Sequence, residues 1–168
     1  MSNFLSNSSL TRLLSQLATM FGIGKVPKGS GTVASLVTLP IAWGLSKSGP
    51  LIYMAIVVLL APIGIWASET YEKKSGTHDS SEIVIDEFVG MLITMTWLPW
   101  TWQSILLGFA LFRILDIFKP FPIGFLDQKM PGGAGVMADD IAAGMIANLI
   151  LQIIYVKTAW LGIQYVGF

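Results

Sequence analysis

The chain contains no cysteine and one histidine. Without thiols it has no disulfide, no thiolate metal site and no cysteine nucleophile. One histidine cannot supply a zinc site built on several. Charge is also scarce: Asp, Glu, Lys and Arg make up 12% of 168 residues, against about 25% in a soluble domain. Ten basic residues face ten acidic ones, so no net positive field marks nucleic acid as the main partner. Apolar residues fill the gap, at 54% of the chain and a mean hydropathy of +0.69. That composition excludes disorder and argues for a single domain, residues 1–168, embedded in lipid.

The charges organise the chain. None falls in 29–46, 48–68, 88–112, 141–156 or 158–168. Ser48-Gly49-Pro50 predicts a turn between helices at about 32–46 and 51–70. Leu98-Pro99-Trp100-Thr101-Trp102-Gln103 breaks the third run into a hairpin, about 83–98 and 103–118, turning at a membrane interface. A last helix is predicted over about 138–157. Leu10, Leu13, Leu14, Leu17 and Phe21 recur at helical spacing, so residues 1–19 read as a peripheral segment with an amphipathic helix lying on a surface. Its Ser/Asn-rich start and Arg12 do not read as a signal peptide. The expected fold is all-α: an integral-membrane bundle of five short helices plus this N-terminal helix. In that topology one side holds all ten acids and eight of ten Lys/Arg, leaving Lys47 and Lys157 opposite. Five of six tryptophans fall near the opposite side. The basic excess places the charged side in the cytoplasm.

Several acids then lie at membrane depth, where charge is costly and is retained for function. Asp86 and Glu87 fall one turn inside the third helix, Arg113 and Asp116 near the end of the fourth, and Asp139 and Asp140 at the start of the fifth. Gly90 follows Asp86 by four residues and Gly144 follows Asp140 by four. Each aspartate thus has a glycine on its own face, and two such faces can pack backbone to backbone. The two acidic pairs read as halves of one site. A carboxylate cluster without Cys or several His favours Mg²⁺ or Mn²⁺. A structural network with Arg113, Lys119 and Lys129 is the plainer alternative. Asp79 and His78 precede the third helix and are further metal or acid candidates. The stretch from Gly22 to Thr32 is glycine-rich and carries Lys25 and Lys28; with Thr32 as a helix N-cap it would suit a phosphate. Pro131-Gly132-Gly133-Ala134-Gly135 reads as a flexible loop before Asp139.

Four blocks now stand in order: Gly31-Thr32-Val33-Ala34-Ser35; His78-Asp79 through Ile85-Asp86-Glu87-Phe88-Val89-Gly90; Arg113-Ile114-Leu115-Asp116-Ile117-Phe118-Lys119-Pro120-Phe121-Pro122; and Gly132-Gly133-Ala134-Gly135-Val136-Met137-Ala138-Asp139-Asp140 through Gly144. Together they resemble the phosphatidylglycerophosphatase A family over about residues 20–156. The resemblance implies a Mg²⁺-dependent helical phosphatase of the bacterial inner membrane. It would hydrolyse the terminal phosphate monoester of phosphatidylglycerophosphate, giving phosphatidylglycerol and phosphate at the cytoplasmic face. Asp86, Glu87, Asp140 and Asp116 would be catalytic. Asp79, Asp86, Glu87, Asp139 and Asp140 would hold metal. Arg113, Lys119, Lys25, Lys28, Thr32 and His78 would contact the substrate. Water or an aspartate as nucleophile stays open. A CDP-lipid transferase is disfavoured because no Asp-Gly-x-x-Ala-Arg occurs. An ion-coupled transporter is disfavoured because every acid falls on one side.

Overall fold

A computed structural model describes residues 8–77 and 80–162. Among these it is entirely helical: α1 (Ser8–Ala18), a 3₁₀ segment (Met20–Lys25), α2 (Ser30–Ser46), α3 (Pro50–Ser75), α4 (Ile85–Thr94), α5 (Trp102–Phe118), α6 (Ile123–Lys129) and α7 (Gly133–Lys157). The hairpin at 48–50 forms as expected, with Gly49 at φ 93° and Pro50 opening α3. The turn before α5 also forms. The Thr101 hydroxyl accepts from the Ser104 N–H at 3.2 Å and donates to the Leu161 carbonyl at 2.7 Å. One pocket is lined by Lys47, Tyr53, Trp97, Trp100 and Tyr155, so the α2–α3 turn, the α4–α5 turn and the end of α7 share one end of the bundle.

Several boundaries differ from the sequence reading. Helix α7 starts at Gly133, so Asp139 and Asp140 lie in its second turn and the expected loop through Gly135 is already helical. Its glycines serve proximity. A Cβ on Gly133 would meet the Ile65 carbonyl and lie 2.6 Å from the Glu69 nitrogen, and one on Gly135 would meet the Met130 carbonyl. Helix α6, not anticipated, occupies part of the 119–135 connection. Thr32 is the third residue of α2 and not its cap. Gly29 takes that place at φ 71°, a conformation costly for Thr. The apolar stripe of α1 faces the bundle: Leu14 and Ala18 are buried with Ala67 of α3, while Leu13 stays exposed.

Helices α3 and α7, of 26 and 25 residues, are long and apolar enough to cross a membrane. They carry exposed aliphatics, among them Leu51, Val58, Leu59, Leu149, Ile153 and Val156, as a lipid-facing surface does. Helix α7 packs against α3, α4, α5 and α6, and its closest partner is α4. The ten residues of α4 rise only about 15 Å, half of a hydrocarbon core. The last carbonyls of a helix have no partner within it, and here neighbouring helices supply partners. Asn148 of α7 donates to the Thr94 and Thr96 carbonyls at 2.9 and 2.8 Å. Gln152 reaches Thr96 at 3.1 Å, and the Tyr53 hydroxyl of α3 reaches Leu92 at 2.8 Å. Asn148→Leu keeps side-chain size but leaves the Thr94 carbonyl bare. It is expected to lower unfolding free energy in detergent by about 1–3 kcal/mol; unchanged stability would remove Asn148 as the cap of α4.

Candidate active site

The site gathers at the end of the bundle opposite Lys47. Asp86 and Glu87 sit in the first turn of α4. Residues 86 and 90 share one face of α4, and 140 and 144 share one face of α7. The lower pair lets the helices touch. A Cβ on Gly144 would overlap the Gly90 carbonyl, and one on Gly90 would lie 2.8 Å from the Asp140 carbonyl and 2.6 Å from the Phe112 ring. With nothing between the backbones, the upper pair converges. Asp86, Glu87 and Asp140 each offer a carboxylate oxygen, all within 4.8 Å of one another.

Asp140 is 2% exposed, and Glu87 keeps 15% of its side chain accessible. The buried oxygens Asp86 Oδ1, Glu87 Oε2 and Asp140 Oδ2 have no hydrogen-bond partner. Three carboxylates crowded in low dielectric repel, and bare buried oxygens are costly. Both facts call for a shared cation. An all-carboxylate donor set suits a hard divalent ion, so the residues present fit a metal.

Two cations pair with acids at this end of the bundle. Arg113 of α5 places Nη1 2.6 Å from Asp116 Oδ2 and 3.6 Å from Glu87 Oε1. The first contact joins residues i and i+3 of one helix. Lys119, the C-cap of α5 at φ 43°, reaches across to Asp139 Oδ2 at 2.7 Å. Gly31, at the start of α2, closes a third wall. A Cβ there would overlap Glu87 Oε1 and come within 3.0 Å of Arg113 Nη1. Gly31→Ala should displace the Glu87 carboxylate without disturbing a helix. Phosphatase turnover is expected to fall about tenfold, since sub-ångström misplacement of a reacting group is expensive. Wild-type turnover in this variant would detach Gly31 from the site.

These residues fall inside a family match. Residues 16–155 match the model of the phosphatidylglycerophosphatase A family. The chain belongs to the phosphatidylglycerophosphatase A family. It is a phosphoric monoester hydrolase. The phosphatidylglycerophosphatase A of Escherichia coli is 44% identical over 82% of this chain and 81% of its own length. That of Haemophilus influenzae is 38% identical over 89% of this chain and 93% of its own. A Bacteroides thetaiotaomicron protein, 35% identical over 82% of this chain and 90% of its own, carries a provisional name as a phosphatidylinositol-3-phosphatase. No solved structure matches the chain.

Against the sequence reading, the fold brings together Asp86, Glu87 and Asp140, with Arg113 and Asp116 beside them. Asp139 pairs with Lys119; consecutive residues on α7 point about 100° apart, so its side chain and that of Asp140 take different partners. Lys129 lies over the Phe125 ring, 5.8 Å from its centroid. Lys28 is exposed. Lys25 lines a separate pocket with Arg12, Lys74 and Glu82 that includes none of the three clustered carboxylates. His78 and Asp79 lie outside the described residues. Sequence reasoning missed Gly31 as a wall of the site. Its signal was a glycine in the first turn of a helix, opening the first of the four blocks.

Proposed function

We propose that this single-domain enzyme hydrolyses the terminal phosphate monoester of phosphatidylglycerophosphate, with Mg²⁺, at the cytoplasmic face of a bacterial inner membrane. The observation that carries the reading is the triad of carboxylates with three bare buried oxygens, with Arg113 against Glu87 and Lys119 paired to Asp139, the neighbour of Asp140. The family and the names of its E. coli and H. influenzae members support the substrate.

A phosphate monoester dianion cannot approach three carboxylates unaided. Mg²⁺, when bound, neutralises that repulsion and makes a water more acidic. Asp86, Glu87 and Asp140 would hold it, while Asp116 and Asp139 act on the two cations. Asp116 keeps Arg113 turned toward Glu87, and Asp139 keeps Lys119 extended across to α7. Arg113 and Lys119 are then in position to grip non-bridging phosphate oxygens. In the reaction a water oxygen bonds to phosphorus, the ester P–O bond breaks, and the glycerol oxygen leaves and takes up a proton. One of the clustered carboxylates accepts the proton lost by water. The acyl chains stay in the bilayer and only the headgroup enters.

Phosphate release from the purified protein is the test. Turnover of phosphatidylglycerophosphate with Mg²⁺, abolished by EDTA and restored by Mg²⁺, is expected. Preferential turnover of phosphatidylinositol 3-phosphate would instead favour the activity in the B. thetaiotaomicron relative's name. The proposed orientation has its own measurement. Ser48, in the exposed α2–α3 turn, and Lys129, exposed at the end of α6, are each replaced by Cys in this cysteine-free chain. Membrane-impermeant thiol reagents are expected to label Ser48→Cys from outside intact cells and Lys129→Cys only after lysis. The reverse pattern would invert the topology.

A further inference from the structure

A second concentration of positive charge lies apart from the carboxylate site. A pocket of about 350 Å³ opens between α1, the 3₁₀ segment, the end of α3 and the strand of chain before α4. Arg12, Lys25 and Lys74 line it from three different elements. Among the described residues the only carboxylate in its wall is Glu82, and Glu82 Oε2 already accepts the Tyr71 hydroxyl at 2.6 Å. Among the described residues none of the three cations forms an ion pair. Three cations against one carboxylate leave the cavity an excess of positive charge, which attracts an anion. The lower wall adds the buried Thr19.

The surroundings are apolar and exposed. Leu13, next to Arg12, is 48% exposed and Phe21 is 73% exposed. Met20 and Phe21 both adopt positive φ, 44° and 55°, a conformation that costs of order 1 kcal/mol for a bulky residue. The turn thus holds an aromatic ring outward beside a basic cavity. Apolar side chains flanking lysine and arginine are how interfacial segments seat on lipid.

We propose that this pocket is a second phosphate-binding site, distinct from the carboxylate cluster, in which Arg12, Lys25 and Lys74 hold a phosphate group at the membrane surface. The group can arrive on an anionic phospholipid headgroup or as free phosphate. Lys25, which the glycine-rich stretch marked as a substrate contact, here serves a different anion. The site does not depend on which phosphomonoester the enzyme cleaves.

The experiment uses the full chain in dodecyl maltoside. Wild type, Arg12→Gln/Lys74→Gln and the charge-preserving Arg12→Lys/Lys74→Arg are titrated with dihexanoyl-phosphatidylglycerol, dihexanoyl-phosphatidylcholine and sodium phosphate, with EDTA present. Tryptophan fluorescence reads binding and thermal unfolding reads folding. The Gln variant is expected to bind phosphatidylglycerol at least about tenfold more weakly than wild type, with the melting temperature unchanged. The charge-preserving variant is expected to stay within about twofold of wild type. Phosphatidylcholine, whose ammonium cancels its phosphate, should bind weakly to all three. If sodium phosphate shows the same tenfold loss and phosphatidylglycerol shows none, the site stands and its ligand is free phosphate. Equal affinities of wild type and the Gln variant for both anions would overturn the proposal, as would equal losses in the two double variants.

Discussion

Asp86→Asn and Asp140→Asn are each expected to lower phosphatase turnover by about 10³-fold while the protein stays folded. Asn keeps the shape of the side chain and removes one of the three charges that hold the cation. The stability signature separates this from a scaffold role. In wild type Asp86 and Asp140 crowd each other and Glu87, and Asp86 Oδ1 and Asp140 Oδ2 have no hydrogen-bond partner, so neutralising one relieves repulsion. In EDTA the variants should melt at or above the wild-type temperature. With Mg²⁺ the wild type should gain stability, about 2.7 kcal/mol at a hundredfold excess over Kd, and the variants much less. A purely structural network predicts the reverse: a buried pair loses one partner, at a cost of about 3–5 kcal/mol. Variants that lose stability in EDTA and keep turnover would leave these acids as scaffold.

Gly144→Ala carries the second large effect, without touching any charge. The new methyl would overlap the Gly90 carbonyl, a backbone atom that no rotamer change can move. The helices must separate, and Asp140 must leave Asp86. Overpacking of this kind costs about 1–3 kcal/mol, and a displacement near 1 Å costs about 10²-fold in rate. Gly44 offers the control, because a Cβ there meets nothing within 4 Å; Gly44→Ala should behave as wild type. Equal turnover in Gly144→Ala and Gly44→Ala would refute the backbone contact as the source of the site.

The bundle was readable in the sequence where chemistry is local. Uncharged runs, the Gly49-Pro50 turn and the break around Pro99 give the order of the helices, and α4–α5 forms the expected hairpin. The spacing of Asp86 to Gly90 and of Asp140 to Gly144 gives the contact, because helical periodicity alone puts each pair on one face. What stayed hidden is pairing across the fold. Periodicity says which face a residue occupies and not which helix meets it, so the bond of Lys119 to Asp139 and the seat of Glu87 against Gly31 could not be read. Gly132, Gly133 and Gly135 misled because flexibility and close packing call for the same residue. Asn148 and Gln152 are polar residues inside an uncharged run, and their partners are backbone carbonyls, which sequence does not distinguish.

The contact between Gly90 and Gly144 also bears on how much this protein can change. Where two helices are spaced by side chains, every exchange of Leu for Ile or Val shifts them, and a site straddling them must be retuned. Here the spacing is a backbone stop. Residues elsewhere on α4 and α7 can vary in volume while the carboxylates keep their separation. Relatives at 44% and 38% identity differ from this chain at more than half of the aligned positions, a latitude for which a backbone stop between α4 and α7 leaves room.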